Sequence, residues 1–377
     1  MKNTNKEAWL SKRINRVLII TLFLCAYTAV VLILSIMSKD FAQGYSSTVS
    51  YVLRYLLALI TGFIPFSVAE IVALLLPVLV IAACVYAVRC IIKKKFDVKK
   101  ILKSTLIAVF CAFAVFVNVF GVCYFKKPLE DTLKLDRSLL SRQQLYEDAL
   151  YTRAMLEEAA MKVTFSQSGA SQNPHSYSQT DELVNKGYKA LRKSGVFDSS
   201  MPGLSKKIML SPLITYTHIS GMYMPFTGEA NVNVNYPDYV VAFTIAHEKA
   251  HQRGVANEDE ANFMAFLACM ASGDDYLEYA ALMNMYDYFL DATLMQDEEM
   301  YKELVDKTDE KIIREMYAYY KFFEKYSGST ASEIAQSVND TYIKAMGDEQ
   351  GVKSYGLVIE LYHGYIQKER MNNAVTQ

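Results

Sequence analysis

The 377-residue sequence predicts an α-helical membrane anchor joined to a mostly helical α+β domain with one small sheet. Three observations carry that reading. Three long apolar runs are confined to the first third of the chain. The charge is split: residues 1–125 hold 14 Lys+Arg and 4 Asp+Glu, residues 126–377 hold 25 and 36, and the formal net charge of −1 is a cancellation. Beyond residue 126, helical spacing is interrupted by a single β-rich stretch between 206 and 235. The acidic C-terminal part repels phosphates, so a nucleic-acid binder is excluded. With 27 Tyr, 19 Phe and 17 Met the chain has too much apolar surface to stay disordered.

The first run, residues 17–37, has no charge over 21 residues. At about 1.5 Å per residue that is enough to cross a hydrocarbon core of about 30 Å. It is too long for the core of a cleaved leader, and Ser38-Lys39-Asp40 shows no small-residue cleavage pattern, so it is expected to stay. Residues 67–92 form the second span, with Glu70 and Arg89 near its ends, and residues 105–125 the third. Between the first two, residues 45–65 are apolar but broken by Arg54, Gly62 and Pro65, which reads as an interfacial segment rather than a fourth crossing. Basic residues cluster before the first span (Lys2, Lys6, Lys12, Arg13, Arg16) and in the short loop from Arg89 to Lys103. The positive-inside rule makes both clusters cytoplasmic. The chain is then a multi-pass protein of the cell membrane, with the lipid bilayer as partner, a cytoplasmic N-terminus and residues 126–377 extracytoplasmic. Lys126 and Lys127 are the two exceptions to the rule. Five of the six cysteines lie in or beside the spans, and Cys269 alone can form neither an internal disulfide nor a cysteine-built zinc site in the second domain.

In residues 126–377, the spacing over 139–163 predicts a long amphipathic helix, 166–180 a polar loop, and 181–194 another helix. Residues 206–216 and 222–235 alternate and are rich in β-branched and aromatic side chains, which predicts two or three strands. From Tyr236 onward the pattern is helical, broken at Gly254 and at residues 272–275, 327–330 and 347–351.

His247-Glu248-Lys249-Ala250-His251 is an H-E-x-x-H motif. On a helix, residues four apart share a face, so both imidazoles turn to one cation and Glu248 leans over the same place. The apolar residues 240–246 bury that helix, yet they are too few to carry the motif across a membrane. Gly254 ends the helix through a left-handed turn. Zn2+ held by such a pair needs a third protein ligand and an open position for water. Glu248 is then the base that takes a proton from that water as it attacks a polarised carbonyl. Candidates for the third ligand are Glu258, Glu260 and Asn257. Asn257 is also a plausible N-cap, and acids at a helix start complement its dipole, which accounts for Asp259.

Glu258-Asp259-Glu260-Ala261-Asn262 resembles the E-x-x-A-D/N pattern of the gluzincin metallopeptidases. The resemblance implies that Glu258 binds zinc and that Asn262 orients a zinc-bound His. His247 through Asn257 also resembles the metzincin pattern H-E-x-x-H-x-x-G-x-x-H/D, with Asn257 in place of the usual last ligand. More broadly, the three apolar runs, Ile64-Pro65-Phe66-Ser67-Val68-Ala69-Glu70, Pro225-Phe226-Thr227-Gly228-Glu229-Ala230-Asn231, residues 247–254, Asn339-Asp340-Thr341-Tyr342 and residues 351–356 resemble one family. It is the bacterial membrane-protein family known as domain of unknown function 3810, and the resemblance covers nearly the whole chain. It implies a zincin-like domain on a membrane anchor and names no substrate.

Upstream of the motif, Glu229, Asn231 and Asn233 alternate onto one strand face and are candidate substrate-binding residues, because zinc peptidases bind a peptide backbone as an added strand. Oxyanion stabilisation calls for another donor; Tyr355 is the first candidate, with Tyr342, His218 and Tyr223 behind it. His363 reads as a surface or core histidine and His175 as solvent-exposed. The expected function is zinc-dependent hydrolysis of peptide bonds in a peptide or protein substrate. Two other classes fit the same residues: a silent zinc-containing scaffold, whose metal would be closed by a fourth protein ligand, and a zinc hydrolase of a non-peptide cell-wall amide, with a wider polar cleft.

Overall fold

The computed structural model describes residues 2–93, 97–196, 200–345 and 357–375. The chain begins with α1 (Lys2–Met37), turns at Ser38, and folds back through α2 (Lys39–Tyr45), a π-helical turn (Ser46–Ser50) and α3 (Tyr51–Gly62). α4 (Val68–Ile92) and α5 (Val98–Val119) follow, their first turns capped by the side chains of Ser67 and Asp97. Asn15–Met37, Val68–Ile92 and Val98–Val119 are long and apolar enough to cross a membrane. α1 and α5 lie side by side and parallel: Lys103 Nζ donates to Asn15 Oδ1 (3.0 Å) and Asn118 Nδ2 to Thr28 Oγ1 (3.0 Å). The Tyr45 hydroxyl at the end of α2 donates to Asn118 Oδ1 (2.5 Å).

The third apolar run is shorter as a helix than its sequence suggests. α5 stops at Val119, and Gly121–Phe125 forms a 3-10 turn packed into the rest of the protein. α6 (Leu129–Leu133) and α7 (Arg142–Ala160) come next, α7 opening on a reciprocal Ser141/Gln144 capping box. The expected polar loop holds a small hairpin, β1 (Thr164–Phe165) with β2 (Ser171–Gln172), before α8 (Tyr177–Lys193).

A three-stranded sheet carries β3 (Lys206–Lys207), β5 (Glu229–Val232) and β4 (Gly221–Met224) in that spatial order. β3 is parallel to β5, and β4 antiparallel with Met222 opposite Asn231. Most of the stretch predicted as a first strand is not one: Ser211–Ile214 is a helical turn, α9, with Pro212 in its first turn, and Thr215–Thr217 continues as 3-10. Proline fixes a helical φ and removes a ladder donor, which defeats the β-branched composition.

α10 (Asp238–Gln252), α11 (Glu258–Met270) and α12 (Asp275–Gln296) build the core with α7, α8 and α16 (Val358–Val375). Between α12 and α16 lie α13 (Glu298–Asp306), α14 (Glu310–Glu324) and α15 (Thr330–Ala345). Asp297 and Asp309 cap α13 and α14, adding two breaks beyond those expected. The predicted break at 347–351 lies outside the described residues.

Packing does not divide the chain at residue 125. Thr61 Oγ1 donates to Thr227 O (3.2 Å), Lys206 Nζ to Ile64 O (2.5 Å), and Glu70 at the head of α4 accepts from the Met209 and Leu210 amides (2.8 Å each). The segment from Ser38 to Ser67 is therefore built into the same body as the sheet. Lys127 pairs with Asp40 (2.5 Å), so one of the two basic exceptions has a local partner.

Candidate metal centre

α10 starts after Pro237, carries Asp238 in its first turn, and buries Val240, Ala242, Phe243, Ile245 and Ala246 in the core. It ends at Gly254, whose φ of +89° is open to glycine at little cost. There the Gly254 amide donates to His251 O (2.8 Å) and the Val255 amide to Ala250 O (3.1 Å). The turn brings Val255 O to His251 Nδ1 (2.7 Å). A carbonyl accepts only from a protonated nitrogen, so Nδ1 carries a hydrogen and Nε2 is the ring nitrogen turned toward His247 and Glu258. The short connection then starts α11, with Glu258 as its first residue.

These elements gather three ligand atoms. His247 Nε2 lies 3.0 Å from His251 Nε2 and 3.2 Å from Glu258 Oε2, which is 3.4 Å from His251 Nε2. Donors about 2.0–2.1 Å from a tetrahedral zinc stand about 3.3 Å from one another, so the triangle has the size the ion requires. It is the cluster of His, Asp and Glu among the described residues with ligand atoms close enough to share an ion. His247 Nδ1 is buried without a hydrogen-bond partner, and so is one oxygen of Glu248.

Charge in the site follows from burial and proximity. Burial pushes the Glu248 carboxyl up to about 7, against the pull of His247, His251 and the Tyr223 backbone N–H. Burial opposes a charge on His251, but Glu258 beside it raises that imidazole to about 9. Glu258, although buried, is carried well below the carboxylate range by His251 and His247. Such a triad stores one anion between two imidazoles and exchanges protons for a cation. Gly221 on β4 sits against Glu248: a Cβ there would come within 2.5 Å of Oε1.

The other candidates fall elsewhere. Glu260 Oε1 accepts from the Leu129 amide (2.8 Å), and burial raises this carboxyl to about 7. Asn257 precedes α11 without a side-chain cap bond, and Asp259 pairs with Arg137 (2.7 Å). Asn262 is buried with its Nδ2 unpartnered, and among the described residues no hydrogen bond joins it to either imidazole. Glu229, Asn231 and Asn233 are buried, and each makes hydrogen bonds to internal partners. The Glu229 carboxylate accepts from the Val68 and Ala69 amides (3.1 and 2.8 Å), Asn231 Nδ2 donates to Met222 O (3.1 Å), and Asn233 Nδ2 to Ile219 O (3.0 Å). Tyr355 lies outside the described residues. So does the side chain of Tyr342, whose backbone belongs to α15. His218 Nε2 is 3.1 Å from Tyr326 O. The Tyr223 hydroxyl is buried without a partner beside Phe120, and burial raises it far above its ordinary range. His363 Nδ1 and His175 Nε2 are 2.5 and 2.7 Å from Asp148 and Asp274; the former pair is buried in the core.

Several neighbours of the site escaped the sequence reading. Phe120, one residue past α5, meets the His251 ring edge-on with centroids 6.2 Å apart. Arg54, fully buried, donates to Val119 O (2.9 Å) and Ser46 O (3.1 Å) and abuts Gly254. Lys126 Nζ donates to Gly254 O (2.7 Å). Lys249, inside the motif, faces away and pairs with buried Asp181 (3.1 Å). The signal was present for Arg54, since a lone cation in an apolar segment needs a polar partner.

Three helices long and apolar enough to span a membrane, a mostly helical body and a largely buried His-His-Glu cluster are together compatible with a membrane-anchored protein carrying a candidate metal centre. The family model described as "Protein of unknown function (DUF3810)" matches residues 45–362, and the chain belongs to that family. No curated protein and no solved structure matches the chain. The matched region begins at Tyr45, so it takes in α3 together with the body that α3 joins.

Proposed function

We propose that the protein is a membrane-anchored, zinc-dependent metallopeptidase of zincin-like, gluzincin type. The observation that carries this reading is the triangle of His247, His251 and Glu258 donor atoms, 3.0–3.4 Å on a side, with Glu248 beside it on the same helix. Zinc, when bound there, acidifies a water and polarises the substrate carbonyl. Glu248 would take a proton from the attacking water on its unpartnered oxygen and return it to the leaving amine. The Val255 carbonyl orients His251, and Gly221 lets β4 lie directly against Glu248. β4 is the outer strand of its sheet, and an added peptide strand is the ligand such an edge accepts.

The packing of Ser38–Ser67 and of residues 120–260 into one body supports placing both on one side of the membrane, opposite the basic loop before α5. With the positive-inside rule, that side is extracytoplasmic. The test uses the full chain in nanodiscs and its Glu248→Gln variant. Both should hold about one zinc per chain, and only the wild type should cut a mixed peptide library, the variant losing at least about a hundredfold in rate. Absence of stoichiometric zinc in reloaded wild type, or equal cutting by both proteins, overturns the reading.

A further inference from the structure

We infer that the metal centre stands at the level of the bilayer surface and that its substrates are polypeptides cut where they leave the membrane. The substrate class rests on the peptidase reading above; the depth does not. Three contacts set the register of the parallel helices α1 and α5: Asn15 with Lys103, Thr21 with Cys111 and Thr28 with Asn118, offsets of 88, 90 and 90 residues. In that register Val119 is level with residue 29 of α1, whereas the apolar helix continues to Met37. The end of α5 thus lies about eight residues, or about 12 Å, below the height at which α1 runs out. From Lys103 to Val119 α5 covers about 24 Å, short of the hydrocarbon thickness of about 30 Å. Yet Phe120, the next residue, touches the ring of His251, and Arg54 ties Val119 O to the turn at Gly254.

α3 supplies an independent reason. Its inner face, Arg54, Ala58 and Thr61, together with Ser50 of the preceding turn, is buried against the body that holds the metal site. The outer face of α3 and its flanking turns is an apolar stripe of Val49, Val52, Leu56, Leu59, Ile60 and Phe63, spaced i, i+3, i+7, i+10, i+11, i+14 and exposed, Phe63 by 82%. The occupant of this stripe is lipid. The stripe continues through exposed Phe66 into α4, a helix of spanning length whose apolar surface is bare from its first turns. A helix that lies in the interface sinks its apolar face about 5–10 Å into the acyl boundary. Since a helix is about 10–12 Å across, only one helix separates the acyl chains from the turn that closes α10.

The same helix fixes the approach of the substrate. Gly228, in the turn between β4 and β5, backs onto Leu57 and Ala58 of α3. β4 therefore runs between the membrane helix, at its Met224 end, and Glu248, at its Gly221 end, a path of about 10 Å. A polypeptide leaving the bilayer can lie along this edge and reach Glu248 within its first few extended residues.

Two measurements on the full chain in nanodiscs test this. The single Trp is first removed by Trp9→Phe, and new Trp reporters are placed by Ile60→Trp, Phe63→Trp and, as a control, Met295→Trp. Brominated phosphatidylcholine should quench the Ile60 and Phe63 reporters at least twofold and leave the Met295 reporter unchanged. Unquenched Ile60 and Phe63 reporters overturn the placement whatever the activity. The second probe is a single-span Leu-Ala helix bearing a randomised segment, either directly after the span or behind a Gly/Ser spacer of about 30 residues, which reaches about 30 Å. Wild type should cut the adjacent segment at least tenfold faster, with Glu248→Gln as blank. Equal cutting of both overturns the substrate class. Quenched reporters with no cutting of either probe remove the peptidase reading and the substrate class with it.

Discussion

Replacing Glu229 by Ala separates a structural role from a substrate-binding one. Its carboxylate holds the Val68 and Ala69 amides, the first free N–H groups of α4, at 3.1 and 2.8 Å. Hydrogen bonds to a charged acceptor contribute about 1.5–3 kcal/mol each, and the carboxylate also complements the helix N-terminus. Removal leaves two amides unpaired at a buried junction and deprives Lys206 of a nearby negative charge. The expected loss is about 3–5 kcal/mol, since the two bonds share one side chain and do not add fully. For a body of this size each kcal/mol moves Tm by about 2–4 °C, so a fall of about 6–20 °C is expected. Circular dichroism of the full chain in nanodiscs during heating reads it directly. The companion measurement is KM for the best peptide from the library, at a temperature where both proteins are folded. An unchanged Tm with a several-fold higher KM would refute the cap and return Glu229 to the cleft.

Three further predictions follow from the same geometry. Chelation should lower Tm by about 8–16 °C, because zinc at a thousandfold excess over its Kd stabilises the folded state by about 4 kcal/mol, and zinc alone should restore it. Gly254→Ala forces a side chain onto φ +89° and into the Arg54 guanidinium, so it should cost about 2–4 kcal/mol by denaturant unfolding and weaken zinc binding at least tenfold. Asp287, half-buried on α12, has its carboxyl pushed up to about 8 by burial, then by Asp291 and Glu315. Because its folded value lies above its unfolded one, its favourable contribution is complete below about pH 4 and is lost as pH rises toward 8. Asp287→Asn should therefore match the wild type in stability at pH 4 and exceed it by about 1–3 kcal/mol at pH 8.

Much of this architecture is legible because it rests on local periodicity. The three apolar runs, the helix carrying His247 and His251, the stop at Gly254 and the restart at Glu258 all follow from spacing over a few turns. Glu258 reaches the imidazoles because one short turn connects its helix to theirs, and a motif-length window contains the whole arrangement. What was not legible depends on partners far apart in the chain. Glu229 looked like a polar strand residue because the amides it caps lie 160 and 161 positions earlier. Arg54 looked like a flaw in an apolar segment, since its acceptor Val119 lies 65 positions later in the chain. The run 105–125 looked like one uninterrupted span because composition cannot register that Phe120 leaves the helix to meet His251. Pro212 was the one local sign against a strand at 206–216, and the surrounding β-branched residues masked it.

The contact of Arg54 with Gly254 also constrains how the protein is made. The two residues are about two hundred positions apart, and at about 5–20 residues per second a ribosome needs about 10–40 s to go from one to the other. During that interval α3 has been synthesised but the helix it will clasp has not. Under the proposed placement its apolar stripe would rest at the level of the lipid headgroups during that interval. The turn at Gly254 acquires its Arg54 neighbour only when α10 is delivered to that helix. A nascent chain stalled before α10 is made would therefore lack the Arg54–Gly254 contact, and under the proposed reading assembly in the membrane would be a condition for activity rather than a prelude to it.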